Sequence, residues 1–322
     1  MSQINVTKSE QTIIQPHPKP KLMARIKKDF NRGKYVYLML LPVIIYYLVF
    51  QYWPMVGIVI AFQKYIPGMG FFESPWVGFK HFTDFFNSFY FWRLIKNTFL
   101  LNFWLLIFGF PAPIILALLL NEVRKSWFKR TVQTVTYIPH FISIVVIVGI
   151  IKDFTATEGI INQMREILGS ESISFLQIPE YFRTIYVTSD IWQSIGWSSI
   201  IYFAALSAVD PNLYEAAEMD GAGRFRKMWH ITLPAIKPTI VILLILTIGN
   251  LLSSGFEKIL LLYQPLTYET ADVISTYVYR KGIEDSSFSF ATAVGLFNTI
   301  VNFILLIIAN TISRKVSDNS LW

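Results

Sequence analysis

The sequence predicts an all-α membrane protein with six transmembrane helices and both termini on the inner side. Three observations carry this. Of 322 residues, 53% are hydrophobic and only 15% are charged, whereas charged residues make up about a quarter of a soluble globular domain. Six uncharged or nearly uncharged runs recur along the chain, each matching the roughly 20 helical residues that cross a hydrocarbon core. The connecting segments differ in basic charge. With the N-terminus inside, the inner segments 1–34, 121–130, 210–237 and 314–322 hold 18 Lys and Arg. The outer segments 64–93, 152–183 and 263–287 hold only 8. Basic residues stay on the cytoplasmic side during insertion, so this orientation is the expected one.

The elements follow in order. Residues 1–34 form a basic cytoplasmic tail, with eight Lys and Arg against Glu10 and Asp29. The first span is 35–63, carrying Pro42 and Pro54. Residues 64–93 are an external segment dense in aromatics, the composition of a chain lying at headgroup level. Spans at 97–121, 131–151, 184–209, 238–262 and 288–313 then make a five-helix core within 94–312. Interior prolines such as Pro111 and Pro113 are expected to kink these helices without breaking them, because neighbours re-satisfy the freed carbonyls. A cytoplasmic tail, 313–322, ends the chain.

Composition also excludes chemistry. The chain has no cysteine, and His17, His81, His140 and His230 fall in separate segments. Neither a disulfide nor a metal site is expected. No cleavable signal peptide is expected, since the first apolar run begins near Tyr35 and is too long. The net charge of +7 sits in the inner loops, as in a membrane protein, and does not indicate nucleic acid. No GxxxxGK[ST] phosphate loop, HExxH or GxSxG motif is present. Gly221-Ala222-Gly223 begins like a dinucleotide fingerprint, but Arg226 stands at the third glycine position. The chain is expected to be no enzyme and to hold no cofactor.

Polar residues at membrane depth are expensive and are functional candidates by default. Gln193 and Trp197 share a face of the fourth span with Gly196. Asn250, Ser254 and Glu257 share one in the fifth, and Asn298 and Asn302 one in the sixth. Trp192 and Trp197 offer faces on which sugar rings can stack. These are the candidate substrate pathway; interhelical hydrogen bonding is the alternative role for each.

The most informative stretch is the inner loop 211–238, PNLYEAAEMDGAGRFRKMWHITLPAIKP. Asp210 can cap a helix whose first position is Pro211. Gly221 and Gly223 can end that helix. A second short segment follows at 224–231, and Pro234 and Pro238 mark the return to the membrane. Glu215-Ala216-Ala217, then Asp220-Gly221-Ala222, then Ile231-Thr232-Leu233-Pro234 fill every fixed position of a pattern spanning 20 residues.

That pattern resembles the EAA loop of bacterial binding-protein-dependent ABC importer permeases. The resemblance covers about residues 90–312. It implies the type I importer permease fold, with the loop as the coupling helix that docks on a separate ATPase. Glu215, Ala216, Ala217, Asp220, Gly221, Ala222, Ile231, Leu233 and Pro234 would form the ATPase-coupling surface, with Glu215 meeting a basic residue of the ATPase. The implied partners are a second permease subunit, a different chain in this subfamily, two ATPase subunits that bind ATP and Mg, and an extracellular solute-binding protein. The outer stretch ISTYVYRKG, 274–282, is similar to the outer loop of the complex-oligosaccharide subfamily. It implies import of oligosaccharides, including uronic-acid-containing polysaccharide fragments. A simple sugar or polyol is the alternative substrate. A secondary transporter without an ATPase is the alternative machine.

Overall fold

The computed structural model describes residues 22–252 and 255–316. Most of the basic tail, the last six residues and the candidate Ser254 lie outside the described residues. Regular structure among the described residues is helical, with one isolated bridge between Gln63 and Trp76. The chain divides into two compact units, Met1–Gly57 and Ile58–Trp322.

The first unit is built on helix α1, Leu22–Tyr47, which passes through Pro42 without breaking. It continues as one wide turn, Leu48–Tyr52. Every side chain from 34 to 56 is exposed. An α-helix satisfies its backbone polar groups internally, so an all-round apolar surface suits hydrocarbon.

The second unit holds the rest. Its helices include α2 (Phe91–Trp104), α3 (Pro111–Asn121), α4 (Ser126–Phe141), α5 (Ile144–Thr155), α6 (Pro179–Ser207), α7 (Pro211–Met219), α8 (Arg224–Lys227), α9 (Leu233–Gly249), α10 (Phe256–Leu262) and α11 (Phe288–Val316). Four stretches are long and apolar enough to cross a membrane: Gly33–Phe62, Phe91–Asn121, Arg224–Gly249 and Phe288–Lys315. A bent pair beginning with α4 makes a fifth if counted as one span. Helix α6 is not among them, although its 29 residues reach about 43 Å at 1.5 Å per residue.

The polarity of α6 is explained by its position. Its N-terminal half contributes Phe182, Tyr186 and Val187 to a core shared with Leu101, Ile147, Ile151, Ile259 and Leu262. Its C-terminal half contributes Tyr202 and Leu206 to a second core with Ile114, Ala117 and Ile236. Protein surrounds much of this helix, so it does not need lipid-compatible side chains on every face. Gly196 lets α4 come close: a Cβ there would lie 2.1 Å from the Thr136 carbonyl oxygen.

Two of the prolines, Pro111 and Pro234, are accommodated without a break by a specific device. The helix widens by one residue at Leu105–Gly109 and at Met228–Thr232. Each wide turn ends two residues before a proline, Pro111 or Pro234. The Phe110 N–H reaches back five residues to the Leu105 carbonyl at 3.1 Å. A wide turn at this point relieves the clash between a proline ring and the preceding turn.

Three expected boundaries need correction. The span 131–151 is not one helix: α4 and the helical stretch Ile144–Ile167 meet at 104°. Ile142 and Ser143 are both extended, with ψ of 138° and 139°. Pro139 in the last turn of α4 offers no N–H to the carbonyl four residues back, which weakens the helix there. The span 238–262 is also broken. Helix α9 ends at Gly249, and Gly255, in the left-handed region at φ 79°, starts α10. Finally, 224–231 is not a separate segment, because the helix runs on through Pro234 to Gly249.

The loop 263–287 is held to the core by a buried polar clamp. Asp272 is fully buried and pairs with Arg280 at 2.7 Å and Arg93 at 3.2 Å. Thr276 Oγ1 donates to its other carboxylate oxygen at 3.0 Å. Asn97 donates to the Glu269 and Asp272 carbonyls and accepts from Arg183 at 2.9 Å. Thus Thr276 and Arg280 of the ISTYVYRKG stretch fix Asp272 within the loop, Arg93 and Asn97 fasten it to α2, and Asn97 extends the clamp to α6.

Candidate functional site

The loop 211–238 is a corner tied by its own hydrogen bonds. The Asp210 carboxylate accepts from the Asn212 N–H at 2.9 Å and caps α7, with Pro211 at its first turn. Gly221 ends the helix at φ 72°. The Ala222 N–H closes the end on the Ala217 carbonyl at 2.8 Å. Gly223 does not end α7; its extended backbone opens α8 instead. The corner is tied twice more. Tyr214 Oη lies 3.0 Å from Thr232 Oγ1, and Lys227 donates to Glu218. That hydrogen bond, with the lysine charge, holds the Glu218 carboxyl below its ordinary range.

The corner carries large apolar side chains on its surface. Leu213, Met219, Phe225 and Trp229 are exposed, Met219 at 89% and Phe225 at 82%. Between the two helices lies a depression of about 360 Å³. It brings together Ala217, Asp220, Ala222 and Ile231 of the motif with Arg226, Lys227 and His230. Glu215 and Ala216 are exposed beside it, and no described residue pairs with Glu215. Leu233 and Pro234 lie at the start of α9. Small side chains at 216 and 217 let another surface approach closely.

A cavity of about 640 Å³ opens among α2, α3, α6 and α9. Asp190, Ser194, Trp197, Ser198 and Ile201 line it from α6. Their spacing of three to four residues puts them on one helical face. Asn102, Thr247 and Asn250 add polar groups from other elements. The Trp197 indole is braced by His140, stacked at 4.6 Å with a 4° interplanar angle, and by the edge of Phe141 at 5.3 Å. Behind Asp190, the Lys258 ammonium lies 3.6 Å from its carboxylate and 3.4 Å from Gln193 Oε1. Among the described residues, no three His, Asp or Glu side chains converge as metal ligands.

Residues 109–318 match the family described as binding-protein-dependent transport system inner membrane component. The chain belongs to this family. The permease is thus a multi-pass protein of the cytoplasmic membrane and a component of an ABC importer. It is 51% identical over 290 residues to the polygalacturonan/rhamnogalacturonan transport system permease protein YteP of Bacillus subtilis, with 90% of each chain covered. It is 49% identical over 301 residues to protein LplB of the same organism, covering 93% of each. Its fold matches a chain of the crystal structure of a bacterial alginate ABC transporter in complex with an alginate pentasaccharide-bound periplasmic protein. That match has a TM-score of 0.85 and 46% identity, covering 92% of the permease and 100% of that chain.

The structure sorts the expected pathway residues of the permease. Trp197 and Asn250 line the cavity. Gln193 faces Lys258 instead, while Trp192 and Glu257 are exposed outside the cavity lining. Asn302 accepts from the Leu252 N–H at 2.9 Å, and Asn298 donates to the Leu252 carbonyl at 3.2 Å. Those two asparagines satisfy the backbone where the helix after α9 is broken. Asn298 also borders a second, largely apolar cavity of about 700 Å³ with Phe256, Tyr279 and Phe288. Sequence reasoning missed Asp190, Ser194 and Ser198. Their i, i+4, i+8 spacing was the available signal.

Proposed function

We propose that the permease imports acidic oligosaccharides, fragments of uronic-acid-containing polysaccharides, as the membrane part of an ATP-driven importer. The observation that carries this reading is 51% identity, over nine-tenths of both chains, to a polygalacturonan/rhamnogalacturonan permease. The likeness to the alginate transporter supports it from a second acidic polysaccharide. Cavity chemistry is compatible: a braced indole beside hydroxyl, amide and carboxylate groups suits a ring that is apolar on its faces and polar at its edges.

In this reading the chain crosses the membrane six times, with both termini inside. The crossings are Gly33–Phe62, Phe91–Asn121, the bent α4–α5 pair, α6, the stretch ending at α9, and α11. Basic residues concentrated in the inner segments support that orientation. The domains run as a tail at 1–34, a first span at 35–63, an external segment at 64–93, the permease core at 94–312 and a tail at 313–322. The corner at 211–238 faces the cytoplasm and receives an ATPase on Glu215, Ala216, Ala217, Asp220, Gly221, Ala222, Ile231, Leu233 and Pro234. ATP and Mg bind that partner. A second, different permease completes the translocation path, and an extracellular binding protein delivers the sugar. Liganded binding protein and ATP both favour the outward-facing state, and that shared preference couples hydrolysis to import.

The test is reconstitution. The permease is purified with its co-purifying subunits, placed in liposomes with the binding protein, and supplied with tetragalacturonate. ATP-dependent uptake, with hydrolysis stimulated by loaded binding protein, is the expected result. A chain that purifies without an ATPase in several mild detergents overturns the reading.

A further inference from the structure

We infer that Asp190 is a sugar-contacting residue of the cavity, and that Lys258 is the counter-ion that positions its carboxylate. This rests on the proposed role in saccharide import. Asp190 lines the cavity on the same helical face as Ser194, Trp197 and Ser198. Its side chain keeps 34% of its surface accessible, whereas the Lys258 side chain keeps 3%. The pair is therefore asymmetric, with the cation behind the wall and the anion in it.

An isolated carboxylate at this depth carries a large desolvation cost. Lys258 offsets it from behind. The ammonium is 3.6 Å from Asp190 and 3.4 Å from Gln193 Oε1, and lies 5.5 Å from the centre of the Tyr186 ring. The one contact to the carboxylate, at 3.6 Å, is longer than a tight charge-assisted bond of about 2.7–2.9 Å. The carboxylate is thus not saturated by its lysine. It retains acceptor capacity toward the cavity, where hydroxyl groups of a sugar can donate to it. A stacking indole stands about two helical turns along the same face, so one saccharide can meet both.

Charge balance matters equally. With Lys258 in place, this wall presents hydrogen-bond acceptors without net charge. A bare carboxylate would repel a uronate, but a balanced one accepts its hydroxyl groups while tolerating its acid group.

The experiment uses the whole reconstituted importer with tetragalacturonate as probe. It compares Asp190→Asn with the neutral, nearly isosteric pair Asp190→Asn/Lys258→Gln. The single substitution leaves a buried lysine unpaired and can impair assembly. The double substitution removes that problem. If Asp190 contacts sugar, the double variant regains the thermal midpoint and the hydrolysis stimulated by loaded binding protein. Its uptake nevertheless stays down about tenfold or more, the loss expected for one charge-assisted hydrogen bond. If the pair only ties α6 to α10, the double variant regains uptake together with stability, and the inference is overturned. A wild-type importer that hydrolyses ATP but takes up no tetragalacturonate overturns the substrate reading, and this inference with it.

Discussion

Gly255 stands directly against Tyr186: a Cβ at Gly255 would fall 1.6 Å from the tyrosine hydroxyl oxygen. Tyr186 is 1% exposed and belongs to the core that joins α2, α5, α6 and α10. Gly255 also sits at φ 79°, where an L side chain is strained. Two penalties therefore fall on one residue. Gly255→Ala is expected to cost about 2–4 kcal/mol through overpacking and backbone strain. Gly149, in α5 with open space around its Cβ direction, is the control. Gly149→Ala is expected to be neutral or stabilising by up to about 1 kcal/mol. Thermal midpoints of the purified complexes measure both. Equal midpoints would mean that the broken helix yields freely at Gly255.

Asn302 tests whether the break before α10 is held by side chains. Its Oδ1 accepts from the Leu252 N–H, and Leu252 is 8% exposed. Asn302→Leu removes that acceptor, and an unsatisfied buried donor costs about 1–3 kcal/mol. A fall in thermal midpoint is expected before any sugar is added. If the asparagine instead served the transport path alone, stability would be unchanged and only uptake would fall.

The contact between Glu218 and Lys227 gives the corner a pH dependence. The lysine lowers the Glu218 pKa from its ordinary 4.5. A carboxyl whose folded pKa is depressed contributes stability that is complete above the unfolded value. That contribution is lost as pH falls through the folded one. The α7–α8 corner is therefore expected to be indifferent to pH above about 5 and to loosen in more acidic solution. Hydrogen exchange at the Ala222 and Gly223 amides reads this. Glu218→Gln should abolish the acid response; a response that survives the substitution would belong to another group.

The parts of this protein legible in its sequence are those decided locally. Asp210, Pro211 and Gly221 cap, start and end one helix by their own backbone preferences, and all three act as their chemistry predicts. What escaped the sequence depends on distant partners. Nothing near Leu252 announces that Asn302, on another helix, will accept its N–H. Asp190 reads as a lone acid in an apolar run until Lys258, 68 positions later, is placed behind it. Uncharged composition marks where membrane segments lie, but lipid-compatible residues are equally at home in a straight helix and in one bent by 104°.

A coupling role for the corner is testable apart from its folding. Glu215 is exposed and no described residue pairs with it, so Glu215→Ala should alter stability by no more than about 0.5 kcal/mol. Gly221→Ala adds a strained left-handed residue in open space, costing about 1 kcal/mol, but leaves the corner in place. Gly221→Pro is different. It removes the N–H that bonds the Glu218 carbonyl at 3.0 Å and forces φ to about −65°, incompatible with the observed turn. If the corner transmits motion from an ATPase, both Glu215→Ala and Gly221→Pro should lower sugar import per ATP hydrolysed, with the proline more severe. Gly221→Ala should stay near wild type. Uptake and hydrolysis measured on the same proteoliposomes give the ratio directly. Normal ratios in both Glu215→Ala and Gly221→Pro, at normal assembly, would remove the corner from the coupling path, since neither change leaves its exposed surface intact.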